Sequence, residues 1–307
     1  MLLTDLREEH LINLKVLGRA KGTVWNHEYS TGLLLEFLKQ EYQITKVEQV
    51  KPAHIRSIML LWHEEKGWTG RTVNKMVGIL KVMFNYAVDE EYLDEFKNPT
   101  RKIKNVTETK TVIETFTDEE VKNILNSFHE KTYSNIRDKL LLMMLFDMGL
   151  RVSELIAITP EDVRETNILM HGKGSKERVL YISPVVKRQL IKFKISKKDR
   201  FKHKHHSELD NYLFLNQEGK KISRSRINKI LNEHANLAKV RKSIRVSPHT
   251  CRHYFAHAQL RNGQNVYNLS RLMGHYDTRI STEYLRGITD EEVVESGIKT
   301  SPLSNLW

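Results

Sequence analysis

Apolar residues recur at helical spacing through the first hundred positions. Trp25, Tyr29, Leu33 and Phe37 stand four apart after Thr23, whose hydroxyl suits a helix N-cap. Val73, Met76, Val77, Leu80, Phe84 and Ala87 form a second stripe, and both stripes predict amphipathic helices whose apolar faces pack into a core. Asn98-Pro99 stops the pattern, because the residue before a proline is pushed out of helical geometry. From 100 to about 114 the chain is polar and without period, which predicts a linker between a helical domain, 1–99, and a second domain, 115–307.

The second domain changes its period partway. Thr117 and Glu120 have capping-box spacing and open a helix reaching about Phe128. Another helix is expected over Ile136–Met148 with Gly149 as its C-terminal cap, then a short one over Val152–Ile158 with Arg151 at its entrance. Ile168–His171 and Arg178–Ile182 read as two short strands flanking the turn Gly172-Lys173-Gly174-Ser175-Lys176, which makes a small β-hairpin. Ser183-Pro184 and Ser247-Pro248 each set an N-cap hydroxyl before a proline suited to the first helical position. The fold class expected is mostly α with a small β-hairpin, and no internal repeat is visible.

Composition narrows the picture. The longest apolar run, Leu140 to Phe146, is seven residues, against roughly 18 for a membrane span, so no membrane helix is expected. Asp5, Glu8 and Glu9 stand where a secretory leader would be basic and apolar. One cysteine, Cys251, allows no internal disulfide, and a cytoplasmic protein is expected. The chain carries 50 Lys and Arg against 38 Asp and Glu, and the excess is local: residues 151–250 hold 23 basic and 10 acidic side chains, while the other stretches nearly cancel. An acidic partner fits that distribution, and so does a solvated face. Lys197 to His206 packs eight basic or histidine side chains into ten positions. It reads as a solvated loop, since interleaved lysines repel a metal cation.

Candidate chemistry begins at Ser247-Pro248-His249-Thr250-Cys251-Arg252-His253. On a helix starting at Pro248, His249 and Arg252 share a face near the positively polarised N-terminus, where a phosphate is stabilised. His249 and His253 mimic a zinc-protease pair, but Thr250 replaces the required Glu. A Walker A sequence is absent, so no nucleotide site is expected.

Gly149-Leu150-Arg151-Val152-Ser153-Glu154-Leu155, the Gly172-Lys173-Gly174 turn, His249-x-x-Arg252, Gly274-His275 and Tyr284 follow one another in this order. Together they resemble the tyrosine recombinase (phage integrase) family, over about residues 116 to 286, and the helical segment before Asn98-Pro99 resembles that family's core-binding domain. The resemblance implies a mixed α/β catalytic domain and a site-specific recombinase. Tyr284 would attack a DNA phosphodiester to leave a 3′-phosphotyrosyl link and a free 5′-hydroxyl. It further implies that Arg151 and Arg252 receive the developing charge, that His249 acts as base, that Lys173 acts as acid, and that His275 donates a hydrogen bond to the phosphate. Lys176 and Arg178 are alternatives to Lys173 in the same turn, Tyr267 and Tyr276 are neighbouring tyrosines, and Glu154 and His253 would brace the site. Neither metal nor cofactor is implied, because arginines and a lysine supply the positive charge.

Double-stranded core sites are the expected partner, bound by a homo-tetramer joined through the tail carrying Leu303, Leu306 and Trp307. A short helix opening at Thr289 precedes that tail, and an accessory DNA-bending protein is an optional further partner. A nucleoid-associated cytoplasmic location follows, as does a compact enzyme without an arm-type DNA-binding domain. A type IB topoisomerase and a non-catalytic DNA-binding regulator are the competing readings.

Overall fold

The structure is a computed structural model that describes residues 1–108, 114–171, 177–203 and 211–274. The chain divides into two compact units, Met1–Lys110 and Thr111–Trp307. Among the described residues no helix is long and apolar enough to cross a membrane.

The first unit is helical: α1 (Leu3–Val16), α2 (Lys21–Tyr42), α3 (Pro52–Leu60) and α4 (Gly70–Asp89). Every residue of the α4 stripe from Val73 to Ala87 is buried, as its spacing predicts. In α2 the outcome differs. The buried face is Val24, His27, Ser30, Thr31, Leu34 and Leu38, while Trp25 (61% exposed) and Tyr29 (46%) stack on each other at the surface, ring centroids 5.5 Å apart. A four-residue step overshoots a 3.6-residue turn, so a row spaced by four drifts round the helix. Only its later members, Leu33 and Phe37, reach the edge of the core. Helix α2 also begins earlier than Thr23, after Ala20.

The polar face that α2 does bury is satisfied locally. Thr31 Oγ1 donates to the His27 carbonyl at 2.7 Å and Ser30 Oγ to that of Asn26 at 2.7 Å. His27 meets His10 of α1 through one ring-nitrogen hydrogen bond of 2.9 Å. Burial, followed by the charge of His27, lowers the His10 pKa to about 4. In the unfolded chain His10 takes up a proton near pH 6.5, so the unfolded state binds more protons between those values. Stability is therefore full above pH 6.5 and is lost as pH falls towards 4. Urea midpoints of the first unit's unfolding are expected to drop across that window, and to drop less in His10→Gln.

Residues 100–108, which polarity marks as linker, lie along α4. Ile103 is buried, Lys81 Nζ donates to its carbonyl at 2.9 Å, and Asn74 exchanges side-chain hydrogen bonds of 2.8 and 2.9 Å with the backbone of Val106. One buried isoleucine and two backbone contacts suffice to hold a stretch with no apolar period.

The second unit is built around α6 (Tyr133–Met148), whose residues Leu140–Met144 are all under 9% exposed together with Leu145 and Phe146. A helix apolar on every side must be enclosed. It is covered by α5 (Asp118–Asn126), α8 (Pro184–Phe201), α9 (Arg224–Leu237) and α10 (Pro248–Arg261). The capping box at Thr117 forms: Glu120 N donates to Thr117 Oγ1 at 3.1 Å and Thr117 N to Glu120 Oε2 at 2.8 Å. Ser183 and Ser247 cap α8 and α10 through the amides of Val186 and Thr250. Strands β1 (Asn167–His171) and β2 (Glu177–Tyr181) pair antiparallel, with His171 opposite Glu177 at the neck of the turn.

The basic stretch from Lys197 is only partly a loop, because α8 continues through it to Phe201. That side chain is 4% exposed and pins the last turn, while Lys197 and Arg200 donate to the carbonyls of Tyr212 (2.9 Å) and Gln217 (3.2 Å). Cations in a last helical turn also face the negative end of the dipole. The remainder of that stretch from Lys204, the turn 172–176, the helix expected at Thr289 and the apolar tail lie outside the described residues.

Candidate active site

Two helix ends and one helix start meet at the site. Helix α6 terminates at Gly149, which adopts the left-handed conformation (φ 58°). A Cβ there would stand 2.3 Å from the Phe255 ring, so both the backbone and the packing demand glycine. Two residues on, Arg151 precedes the single turn α7 (Val152–Leu155). Helix α11 (Val266–Met273) ends at another left-handed glycine, Gly274 (φ 64°).

Arg252, on the first turns of α10, is buried (3% exposed) and spans the two helix ends. Its Nη1 donates to the Gly149 carbonyl at 2.5 Å and its Nη2 to the Met273 carbonyl at 2.6 Å. A buried guanidinium is tolerated there because it neutralises two carboxy-terminal helix dipoles. Arg151 sits at the surface side. Its Nη1 pairs with Glu154 Oε1 at 2.9 Å, its Nη2 approaches the Gly274 carbonyl at 3.5 Å, and its side chain is 45% exposed.

His249 stands on the opening turn of α10, its ring 4.3 Å from that of His253. Desolvation lowers its pKa from the usual 6.5, and the charges of Arg252, Arg151 and Arg245 lower it further. The imidazole is accordingly held neutral near pH 7, the form able to accept a proton. Arg151, about a hundred residues away in sequence, thus lies in one electrostatic neighbourhood with His249 and Arg252. Lys173, His275 and Tyr284 lie outside the described residues, although β1 and β2 on either side of Lys173 and Gly274 immediately before His275 are described.

Glu154 braces the site as the sequence suggests. Its carboxylate also accepts from the Arg151 amide at 2.9 Å. Burial would raise its pKa, but hydrogen bonds and charge from Arg178, and then those of Arg151, outweigh burial and bring it down to about 2. Arg178 is the residue that sequence reasoning misplaced. It is not a spare proton donor of the turn, because it forms a fork with Glu154 (3.0 and 2.8 Å) and donates from Nε to the Leu272 carbonyl at 2.9 Å. No spacing signal announces a contact between residues 24 positions apart. Cys251 is fully buried, and burial pushes its thiol up, away from reactivity. Among the described residues no group of three or more His, Cys, Asp or Glu could hold a metal ion.

Residues 114–289 match the model of the phage integrase family, and residues 2–105 match the phage integrase SAM-like domain. The chain belongs to the phage integrase family. Its curated relatives include tyrosine recombinase XerA of Pyrococcus horikoshii, 27% identical with 92% of each chain covered, and XerA of Pyrococcus furiosus, 29% identical with 99% of this chain and 96% of the relative covered. A crystal structure of XerH site-specific recombinase bound to palindromic difH substrate, a post-cleavage complex, shares the fold at a TM-score of 0.73 and 18% identity, covering 90% of this chain and 79% of that one. Within the family, the chain is a tyrosine-type site-specific DNA recombinase.

Proposed function

We propose that the chain cleaves one strand of duplex DNA at a core recombination site by attack of the Tyr284 phenol on a phosphodiester. The attack forms a 3′-phosphotyrosyl bond and releases a 5′-hydroxyl; a partner strand's 5′-hydroxyl then reverses it, so bond energy is conserved without ATP. Arg151 and Arg252 receive charge on the non-bridging oxygens, for which planar, permanently charged guanidinium groups are suited. His249 takes the phenolic proton, Lys173 protonates the departing oxygen, and His275 donates a hydrogen bond to the phosphate.

The observation that carries the proposal is the convergence of Arg151 and Arg252 on the carbonyls of Gly274 and Met273, at the chain segment entering His275, with His249 on the opening turn of the helix that bears Arg252. The first unit serves as the core-binding domain and the second as the catalytic domain. The working assembly is a cytoplasmic, nucleoid-associated homo-tetramer on two duplexes, joined through the tail at Leu303, Leu306 and Trp307. An accessory DNA-bending protein assists where a site requires it.

A nicked duplex tests this directly. Cleavage just inside the nick frees a short fragment that diffuses away, so the covalent complex accumulates and survives denaturation. Peptide mapping is expected to place the DNA on Tyr284, and a duplex that never becomes attached defeats the proposal. Strand exchange between two duplexes then separates a recombinase from an enzyme that only relaxes supercoils.

A further inference from the structure

The Glu154 carboxylate accepts four hydrogen bonds: from Arg178 Nη1 (3.0 Å) and Nη2 (2.8 Å), from Arg151 Nη1 (2.9 Å) and from the Arg151 amide (2.9 Å). That number fills the lone-pair directions of a carboxylate. The two guanidinium groups share it unequally. Arg178, 13% exposed, holds both oxygens in a parallel fork, whereas Arg151, 45% exposed, has a single side-chain bond to it. Arg178 is itself fixed in place, by its Nε donation to Leu272 and by contact with Gly274, where a Cβ would come within 2.8 Å of its Nη1.

We propose that Arg178 is a positioning residue for Arg151: by occupying the fork of Glu154 it stops Arg151 from closing a bidentate pair with that carboxylate, and so keeps the outer guanidinium edge of Arg151 available to a phosphate oxygen. A carboxylate beside an arginine meant for phosphate is a competitor for it, since both offer the same planar pair of acceptors. Engaging that competitor with a second, buried arginine leaves Glu154 able to orient Arg151 without capturing it. The inference rests on the strand-cleavage reading above, in which Arg151 meets the scissile phosphate.

The test compares single-turnover cleavage by the full chain and its variants on two nicked duplexes, one with the ordinary phosphodiester and one with a methylphosphonate at the scissile position. The methylphosphonate carries no negative charge, so an arginine that serves that charge becomes dispensable. Arg178→Met is expected to cleave the phosphodiester about a hundredfold more slowly, the scale of a small misplacement of a reacting group, with DNA affinity within about twofold of the unaltered chain. On the methylphosphonate its deficit is expected to shrink to a few-fold.

Arg178→Lys, a point donor that cannot span both oxygens, is expected to fall about tenfold on the phosphodiester alone. Adding Glu154→Gln to Arg178→Met removes the competing charge and is expected to restore part of the rate. Cleavage by Arg178→Met at the unaltered rate, or an equal deficit on both linkages, overturns the proposal in favour of a purely structural tie. Where Arg178→Met does not fold, the same comparison on Arg178→Lys decides. An unaltered chain that cleaves neither duplex sinks the cleavage reading itself, an outcome distinct from normal cleavage that ignores residue 178.

Discussion

Tyr284→Phe is expected to abolish the covalent protein–DNA complex while leaving DNA affinity unchanged. The substitution removes one oxygen and keeps the ring, so it takes away only the proposed nucleophile. Deleting a nucleophile costs at least about ten-thousandfold in rate where the remaining groups act as a unit with it. The chain has 11 tyrosines, and those described within the second unit's interior are poor substitutes. Burial pushes the Tyr133 phenol up to about 12, and burial also raises those of Tyr181 and Tyr254. Tyr133 and Tyr181 are committed besides, donating to the carbonyls of Leu215 and Asp147 at 2.9 and 2.7 Å. Single-turnover assays on a nicked duplex measure the loss, and a covalent complex persisting in Tyr284→Phe would place the nucleophile elsewhere.

Arg252→Ala should damage the protein twice over. In the proposed reaction it removes a preorganised donor, and losing one such donor typically raises a barrier by about 3–4 kcal/mol, a hundredfold or more in rate. Structurally it leaves the carbonyls of Gly149 and Met273 without the buried guanidinium that joins them. Each orphaned acceptor costs on the order of 1–3 kcal/mol unless water reaches it. The thermal midpoint should therefore fall along with the rate. Arg252→Lys separates the two effects: it keeps the charge, but an ammonium cannot serve carbonyls on two helix ends in a fixed fork. Its stability loss should be smaller than that of alanine while its cleavage rate stays far below the unaltered chain. Equal rates for lysine and arginine would show that charge alone matters at this position.

Local chemistry was the most legible part of the fold. The capping box at Thr117, the serine-proline helix starts, the glycine after Met148 and the hairpin strands all depend on neighbours within a few residues, and each forms where its spacing places it. Errors arose where distant partners decide. Trp25 and Tyr29 look like core residues on their own helix, yet the positions of α1 and α4 select a different face of α2. The stretch after Pro99 looks unattached until Asn74 and Lys81 reach it, and Lys197 and Arg200 look like loop cations until Phe201 is seen to be buried.

For the site, the sequence alone determined which residue types stand in which order: two arginines, a histidine three residues before the second arginine, and glycines where helices must stop. Those follow from one-dimensional spacing, because caps and helix faces are set by 3.6-residue geometry. Only the tertiary structure decided how the arginines are held. Arg252 bridges helix ends at Gly149 and Met273, and one carboxylate is divided between Arg151 and Arg178. Such allocation is a competition among charged groups in a confined, partly desolvated space, and which group wins depends on distances that only the packed helices set.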